Sequence, residues 1–236
     1  MAHQDALRRP ATDPDPPAPA DRLFRLPGVY RPQADTLLLA AAMRREGFTP
    51  GTEVLDLCTG SGALALHAAR LGARVTAVDI SRRAVASARL NTAFARLPVS
   101  VRRGDLLSVL RGRAFDALVS NPPYVPAPTD APSRLGGGRA WDAGPDGRLV
   151  LDRICDGAAA ALRPGGLLLL VQSHLSGPEA TVDRLAGAGI RAAVSDRVTV
   201  PFGPVLRGRA RWLRAQGLLS HAVEGEDLVV IRGRKG

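Results

Sequence analysis

Short apolar stretches alternate with helical segments from residue 29 to residue 195, and this alternation constrains the fold more than any other feature of the sequence. The spacing predicts a helix over 36–45, with Asp35 or Thr36 able to cap it, and a buried strand over 54–57. A helix over 63–71, ended by Gly72, leads to a strand over 74–78. A helix over 82–96, capped by Ser81, leads to strands over 99–102 and 115–120. A helix over 148–162, stopped by Arg163-Pro164-Gly165-Gly166, precedes a strand over 167–172. A helix over 177–186, a strand over 190–195 and a last strand over 227–232 complete the pattern. Such a chain is α/β, with a seven-stranded, mostly parallel sheet covered by helices on both faces. Residues 201–226 depart from the alternation and hold one helix, over 205–215. Residues 1–27 carry Pro10, Pro14, Pro16, Pro17 and Pro19 among Ala, Asp and Thr and read as a disordered or loosely docked arm, leaving 28–236 as one folded domain.

Chemistry gathers at the strand ends. Asn121-Pro122-Pro123-Tyr124 follows the strand over 115–120. Two prolines fix a stiff, extended turn in which the Asn121 carboxamide oxygen and the Pro122 carbonyl can aim at one point. Both are acceptors, so together they satisfy the two hydrogens of a planar NH2 group. Tyr124 can lie over the flat face of the same group. Asn121, Pro122 and Tyr124 are therefore the catalytic candidates.

Asp56-Leu57-Cys58-Thr59-Gly60-Ser61-Gly62 follows the first strand, and Gly60-x-Gly62-x-x-Ala65 also fits the loose dinucleotide fingerprint. Asp56 argues against a dinucleotide, because its carboxylate would repel the pyrophosphate. It would attract the α-ammonium of S-adenosylmethionine (SAM). Asp79 ends the second strand, where a carboxylate accepts ribose hydroxyls or caps the next helix. Gly104-Asp105-Leu106 follows the third strand, where Asp105 meets an adenine amino edge or serves as a turn residue. Asp56, Asp79, Asp105 and Asn121 all fall where ligands bind in open α/β sheets, outside the carboxyl ends of the strands.

Composition excludes several classes. Cys58 and Cys155 lie far apart and form no metal-spacing cluster, so neither zinc nor a disulfide framework is implied, and a reducing cytoplasm fits. The longest apolar run, 167–171, is too short to span a membrane, and no secretory signal is visible. The net charge is +10, and Lys235 is the only lysine. Such a charge suits nucleic acid or an acidic partner, or it forms a solvated shell; the scarcity of aromatics disfavours a base-stacking platform. His67 reads as a packed helix residue, His174 follows a strand end, and His3 and His221 belong to no motif.

These residues resemble a class I SAM-dependent methyltransferase of the HemK/PrmC type, a family that methylates the side-chain amide of a protein glutamine. The likeness rests on the Asn-Pro-Pro-Tyr signature, on Val29-Tyr30-Arg31-Pro32-Gln33-Ala34-Asp35-Thr36, and on the loop from Ala140-Trp141 to Gly147-Arg148. The two latter segments are similar to the short branch that lacks a helical N-terminal domain. The resemblance implies a Rossmann-like fold and SAM held by Thr36, Asp56, Cys58, Gly60 and Gly62. Asp79, Ile80, Asp105, Leu106 and Asn121 complete that set. It also implies a protein or peptide acceptor, a small activating subunit, and no metal. Cys58 stands where the family has a glycine, and the arginine-rich stretch after Phe202 is longer than in the short branch. The signature is shared with enzymes that methylate exocyclic amines of nucleic acids or small molecules, so those acceptors stay open. A non-catalytic partner-binding module is the alternative from another class.

Overall fold

The computed structural model describes residues 23–110, 112–129 and 140–236. Strands β1 (Glu53–Leu57), β2 (Arg74–Asp79), β3 (Val99–Arg103), β4 (Phe115–Ser120), β5 (Leu162–Ser173), β6 (Ile190–Pro201) and β7 (Gly225–Lys235) form one sheet. Helices α1 (Ala34–Glu46), α2 (Ala63–Arg70), α3 (Arg82–Ala95), α4 (Leu149–Ala161), α5 (Pro178–Gly187) and α6 (Pro204–Ala215) surround it. The strand order is β3-β2-β1-β4-β5-β7-β6. The first five strands are parallel, and β7 enters antiparallel between β5 and β6. The order reverses at β1, between β2 and β4, so the crevice opens above the carboxyl ends of β1 and β4.

β5 shows why this sheet is central. Leu168 and Leu170 face a core layer shared with Leu151 and Ile154 of α4 and Leu213 of α6. Leu167, Leu169 and Val171 face a second layer, with Leu39 and Met43 of α1 and Ala65 of α2. A strand buried on both faces reads as a continuous apolar run, which is how it stands in the sequence. Each such leucine contributes about 1.5–3 kcal/mol by leaving water.

Three elements differ from the sequence expectation. α1 begins at Ala34 with Gln33 at its N-cap and no side-chain cap, so Asp35 and Thr36 lie inside the first turn and do not cap it. β5 starts at Leu162, before the expected stop, and Gly165 turns through φ 72° within it. β6 and β7 are longer than expected, pairing from Ile190↔Lys235 to Pro201↔Gly225. β6 is an edge strand whose outer residues are exposed, so hydrophobicity does not mark its second half. Cross-strand bonds hold that half: Arg197 and Thr199 both donate to Asp227 (2.8 and 2.6 Å).

Residues 1–22 of the expected arm lie outside the described residues. Residues 23–27 are docked. The Phe24 N–H donates to Asn91 Oδ1 (2.8 Å), and Asn91 Nδ2 donates to the Phe24 carbonyl (2.9 Å) and to the Ser61 carbonyl (2.8 Å). One side chain of α3 thus joins the incoming chain to the glycine loop.

Candidate active site

The loop after β1 is built from unusual backbone. Cys58, Gly60 and Gly62 have φ of 58°, 56° and 85°. Glycine is indifferent to this left-handed region, whereas Cys58 carries a Cβ penalty there. A Cβ on Gly62 would come 3.3 Å from Ala88 Cβ, so α3 can pack tightly on the loop. The Gly60 N–H donates to Asp79 Oδ2 (2.9 Å), and the Ser81 N–H donates to Asp79 Oδ1 (2.8 Å). Two backbone donors therefore fix the Asp79 carboxylate. Ser81 caps α3, accepting from the Ala84 N–H (3.4 Å), so capping is not left to Asp79.

Asp56 is almost fully buried at the end of β1. Thr59 Oγ1 donates to its Oδ2 (2.5 Å), while Oδ1 is buried with no hydrogen-bond partner among the described residues. Burial, reinforced by the Asp79 charge, pushes the Asp56 carboxyl up to about 7, and the Thr59 hydroxyl opposes this. A buried acid with an orphaned oxygen is stabilised by an incoming cation. Ser61 Oγ of the same loop is also buried without a partner. Burial and the charges of Asp79 and Asp56 raise the Cys58 thiol, the opposite of an activated nucleophile.

Ile80 is exposed beside Asp79, and Leu106 takes φ 49° after β3. Asp105 is engaged elsewhere than the sequence suggests. Its Oδ2 accepts from Arg153 of α4 (2.8 Å), and the pair is half exposed.

At the end of β4, Asn121 Nδ2 donates to Thr36 Oγ1 (3.2 Å). Thr36 in turn donates to Asp35 Oδ1 from its hydroxyl (3.1 Å) and its backbone N–H (2.5 Å). Asp35 Oδ2 accepts the hydroxyls of Tyr30 (2.6 Å) and Tyr124 (2.9 Å). Asp35 is thus a buried hub with four donors. Through it one N–H of the Asn121 carboxamide is engaged on the Thr36 hydroxyl. Burial and the Asp35 charge hold both phenols well above the ordinary tyrosine value, so they stay protonated donors. The sequence marks Tyr30 and Asp35 only as members of a resembling segment and gives no sign that they serve Tyr124. The Tyr124 ring lies buried in the core wall.

The loop that returns to α4 is a splint for this turn. The Val125 N–H donates to the Trp141 carbonyl (2.9 Å), the Ala143 N–H to Val125 (3.1 Å), and the Ala127 N–H to Gly144 (2.8 Å). Gly147 has φ 73°, and a Cβ there would sit 2.4 Å from the Tyr124 carbonyl. Arg209 of α6 pairs with Asp142 and donates to the Pro126 carbonyl (2.9 Å). Asp142 and Arg209 are committed to each other, while Arg207 and Arg211 are exposed. His67 is packed against the Ala40 carbonyl (3.0 Å), with its pKa lowered by burial, and His221 lies in an exposed turn. His3 lies outside the described residues. No cluster suited to a metal ion occurs among the described residues.

An open α/β sheet with an acid at the end of each of its first two strands and Asn-Pro-Pro-Tyr at the end of the fourth defines a methyltransferase. Residues 22–132 match the Methyltransferase small domain. A Methanocaldococcus jannaschii protein provisionally named protein N5-glutamine methyltransferase is 32% identical over 75% of this chain and 88% of its own. The release factor glutamine methyltransferase of Deinococcus radiodurans is 41% identical over 80% of this chain and 66% of its own. A solved E. cuniculi Mtq2-Trm112 complex, described as responsible for methylation of the eRF1 translation termination factor, is 28% identical. It superposes with a TM-score of 0.61 over 89% of this chain and 99% of that one. The chain belongs to the protein glutamine methyltransferase family. It spans about two thirds or less of the bacterial release-factor enzymes, with 66%, 54% and 64% of three of them covered.

Proposed function

We propose that this protein transfers a methyl group from SAM to the side-chain amide nitrogen of a glutamine in a protein, with a translation termination factor as the acceptor. The observation that carries the reading is the Asn121 carboxamide, whose NH2 is held by Thr36 so that its oxygen serves as an acceptor. An amide nitrogen is a poor nucleophile because its lone pair is delocalised. The Asn121 oxygen and the Pro122 carbonyl would receive both of its N–H bonds, raise electron density on nitrogen and fix its direction of attack. The product loses its proton easily, so no histidine or lysine base is required.

The residues of the loop fit SAM. The orphaned Asp56 oxygen suits its ammonium, the fixed Asp79 carboxylate suits its ribose, and exposed Ile80 suits its adenine face. Bound SAM supplies a methyl group already activated on sulfonium. Thr36, Cys58, Gly60, Gly62 and Leu106 line the same crevice in this reading. Asp105 holds Arg153, so the adenine edge falls to the backbone around Asp105 and Leu106.

A small activating subunit is part of the proposal. β3 is an unpaired sheet edge, and on the neighbouring α3 Phe94 is 78% exposed and Leu90 41%. An open strand beside exposed apolar side chains is a surface for strand addition by a partner. A cytoplasmic setting suits the two free cysteines, Cys58 and Cys155, and no helix among the described residues is long and apolar enough to cross a membrane.

The test is transfer of tritiated methyl from labelled SAM to purified termination factors, with and without a Trm112-type subunit. Label on glutamine after acid-free peptide mapping is the expected result. Label recovered only as methylated base or small molecule would overturn it.

A further inference from the structure

Glu226, the second residue of β7, lies beyond the end of β5, because Ser173, the last residue of β5, pairs with Leu228. Its Oε2 is buried and has no hydrogen-bond partner. Burial pushes its carboxyl up to about 7, with the Asp35 charge reinforcing and the Ser173 side chain opposing. Asp35 on α1, Tyr30 before it and Tyr124 after β4 are the titratable groups that face it. None of them has a hydrogen to give. Both phenols donate to Asp35, and a carboxylate only accepts. The next residue, Asp227, is acidic too and is held by Arg197 and Thr199. Glu226 is therefore an acceptor beside the Asp35 hub: the Ser173 side chain favours its charged form, and its Oε2 has no hydrogen-bond partner among the described residues.

The hub connects it to the reaction. Asp35 holds Thr36, and Thr36 holds Asn121. β7 begins at the carboxyl end of β5, the end of the sheet that also carries Asn121 after β4, so a donor for Glu226 comes from a molecule bound at that end. A free amine or a nucleobase would spend its exocyclic hydrogens on Asn121 and Pro122. A peptide brings further N–H groups on the residues flanking its glutamine.

We infer that Glu226 is a specificity-determining residue for the acceptor, its free oxygen receiving a backbone N–H of the segment that carries the target glutamine. This rests on the protein-acceptor reading above.

The experiment compares wild type, Glu226→Gln and Glu226→Leu in tritium transfer to a bacterial release factor and to eRF1, with SAM affinity measured by calorimetry. Glu226→Leu removes the acceptor and should raise the acceptor KM at least about tenfold, with kcat and the SAM Kd within about twofold of wild type. Glu226→Gln keeps an accepting oxygen without charge and should give an intermediate KM. At saturating SAM, wild-type kcat/KM should rise through pH about 7, where Glu226 ionises, and the Glu226→Gln profile should lose that rise. A wild-type KM in both variants overturns the assignment while leaving the protein-acceptor reading intact. A parallel loss of SAM affinity and melting temperature in both variants also overturns it, since that marks a structural role. If wild type labels neither factor and labels only nucleic acid or a small molecule, the protein-acceptor reading falls and this inference falls with it.

Discussion

In the proposed reaction Asn121 acts through its oxygen, because an N–H at its other end is engaged on Thr36. Without Thr36 to accept from Nδ2, the carboxamide could flip and present two donors to a target that is itself a donor. Asn121→Ala should lower turnover on a termination factor by about 100-fold or more, the scale of losing one oriented partner of a reacting group. SAM affinity should change little, and calorimetry beside single-turnover kinetics separates the two. Full activity in the mutant would remove Asn121 from the chemistry. Cys58 makes a different point. At φ 58° it occupies backbone that glycine adopts freely, and its thiol is held neutral rather than activated. Cys58→Gly should stabilise the protein by about 1 kcal/mol through relief of that strain, with the larger backbone entropy of glycine setting the limit. Chemical denaturation reads this directly, and a loss of activity would show that the thiol packs against the bound cofactor.

At the scale of elements, the crevice is held from outside. α6 lies in the stretch that breaks the sequence alternation, yet through Arg209 it clamps Asp142 and Pro126 beside the Asn-Pro-Pro-Tyr turn. The pair is only 20% and 10% exposed, so solvent screens it weakly. Arg209→Ala should cost about 2 kcal/mol of stability, the order expected for a charged hydrogen bond removed from a part-buried site. A double-mutant cycle with Asp142→Ala checks this, and coupling below about 0.5 kcal/mol would place the pair in solvent. Replacing exposed Arg207 and Arg211 with Gln should leave stability unchanged. Any rise it causes in acceptor KM would then report contact with the acceptor. Gly147→Ala should be far harsher than an ordinary loop change, because its Cβ would meet the Tyr124 carbonyl at 2.4 Å in a left-handed conformation. Thermal melting with activity at low temperature distinguishes a displaced turn from an unfolded chain.

For the whole molecule, the parallel half of the sheet was legible in the sequence because β1, β4 and β5 are buried runs with glycine or proline at their ends. Asp56 and Asp79 stand at the ends of β1 and β2, which are buried runs, whereas Asp105 follows the largely exposed β3. The second half of β6 was not legible, because an edge strand signals itself by cross-strand pairs such as Arg197–Asp227 that no local pattern contains. The Asp35 hub was hidden likewise: it gathers Tyr30, Thr36, Asn121 and Tyr124, and Asp35 and Tyr124 are 89 positions apart in the chain. Burial of these acids has a cost that shows in the pH response of the unliganded protein. Asp56 and Glu226 ionise near 7 when folded and near their ordinary values of 3.8 and 4.5 when unfolded. Their contribution to stability is therefore fully present below about pH 4 and is lost as pH rises through about 7. Glu46 has the opposite sign. Its bond to Arg232 lowers its pKa, so its contribution is present above 4.5 and lost as pH falls through its lowered folded value. From these groups, stability of the free protein should peak near pH 4.5, decline up to about pH 7 and level off above it. SAM should reverse the decline, because its ammonium favours ionised Asp56. Its affinity should be roughly 30-fold weaker at pH 5.5 than at pH 8, from one carboxyl that must first lose a proton near 7. Melting temperatures with and without SAM across this range test the linkage, with Asp56→Asn as the control. That variant should melt higher than wild type at pH 8 without SAM and gain little from SAM at any pH. A wild-type SAM shift that does not grow from pH 5.5 to pH 8 would mean that the buried Asp56 oxygen is not the seat of the ammonium.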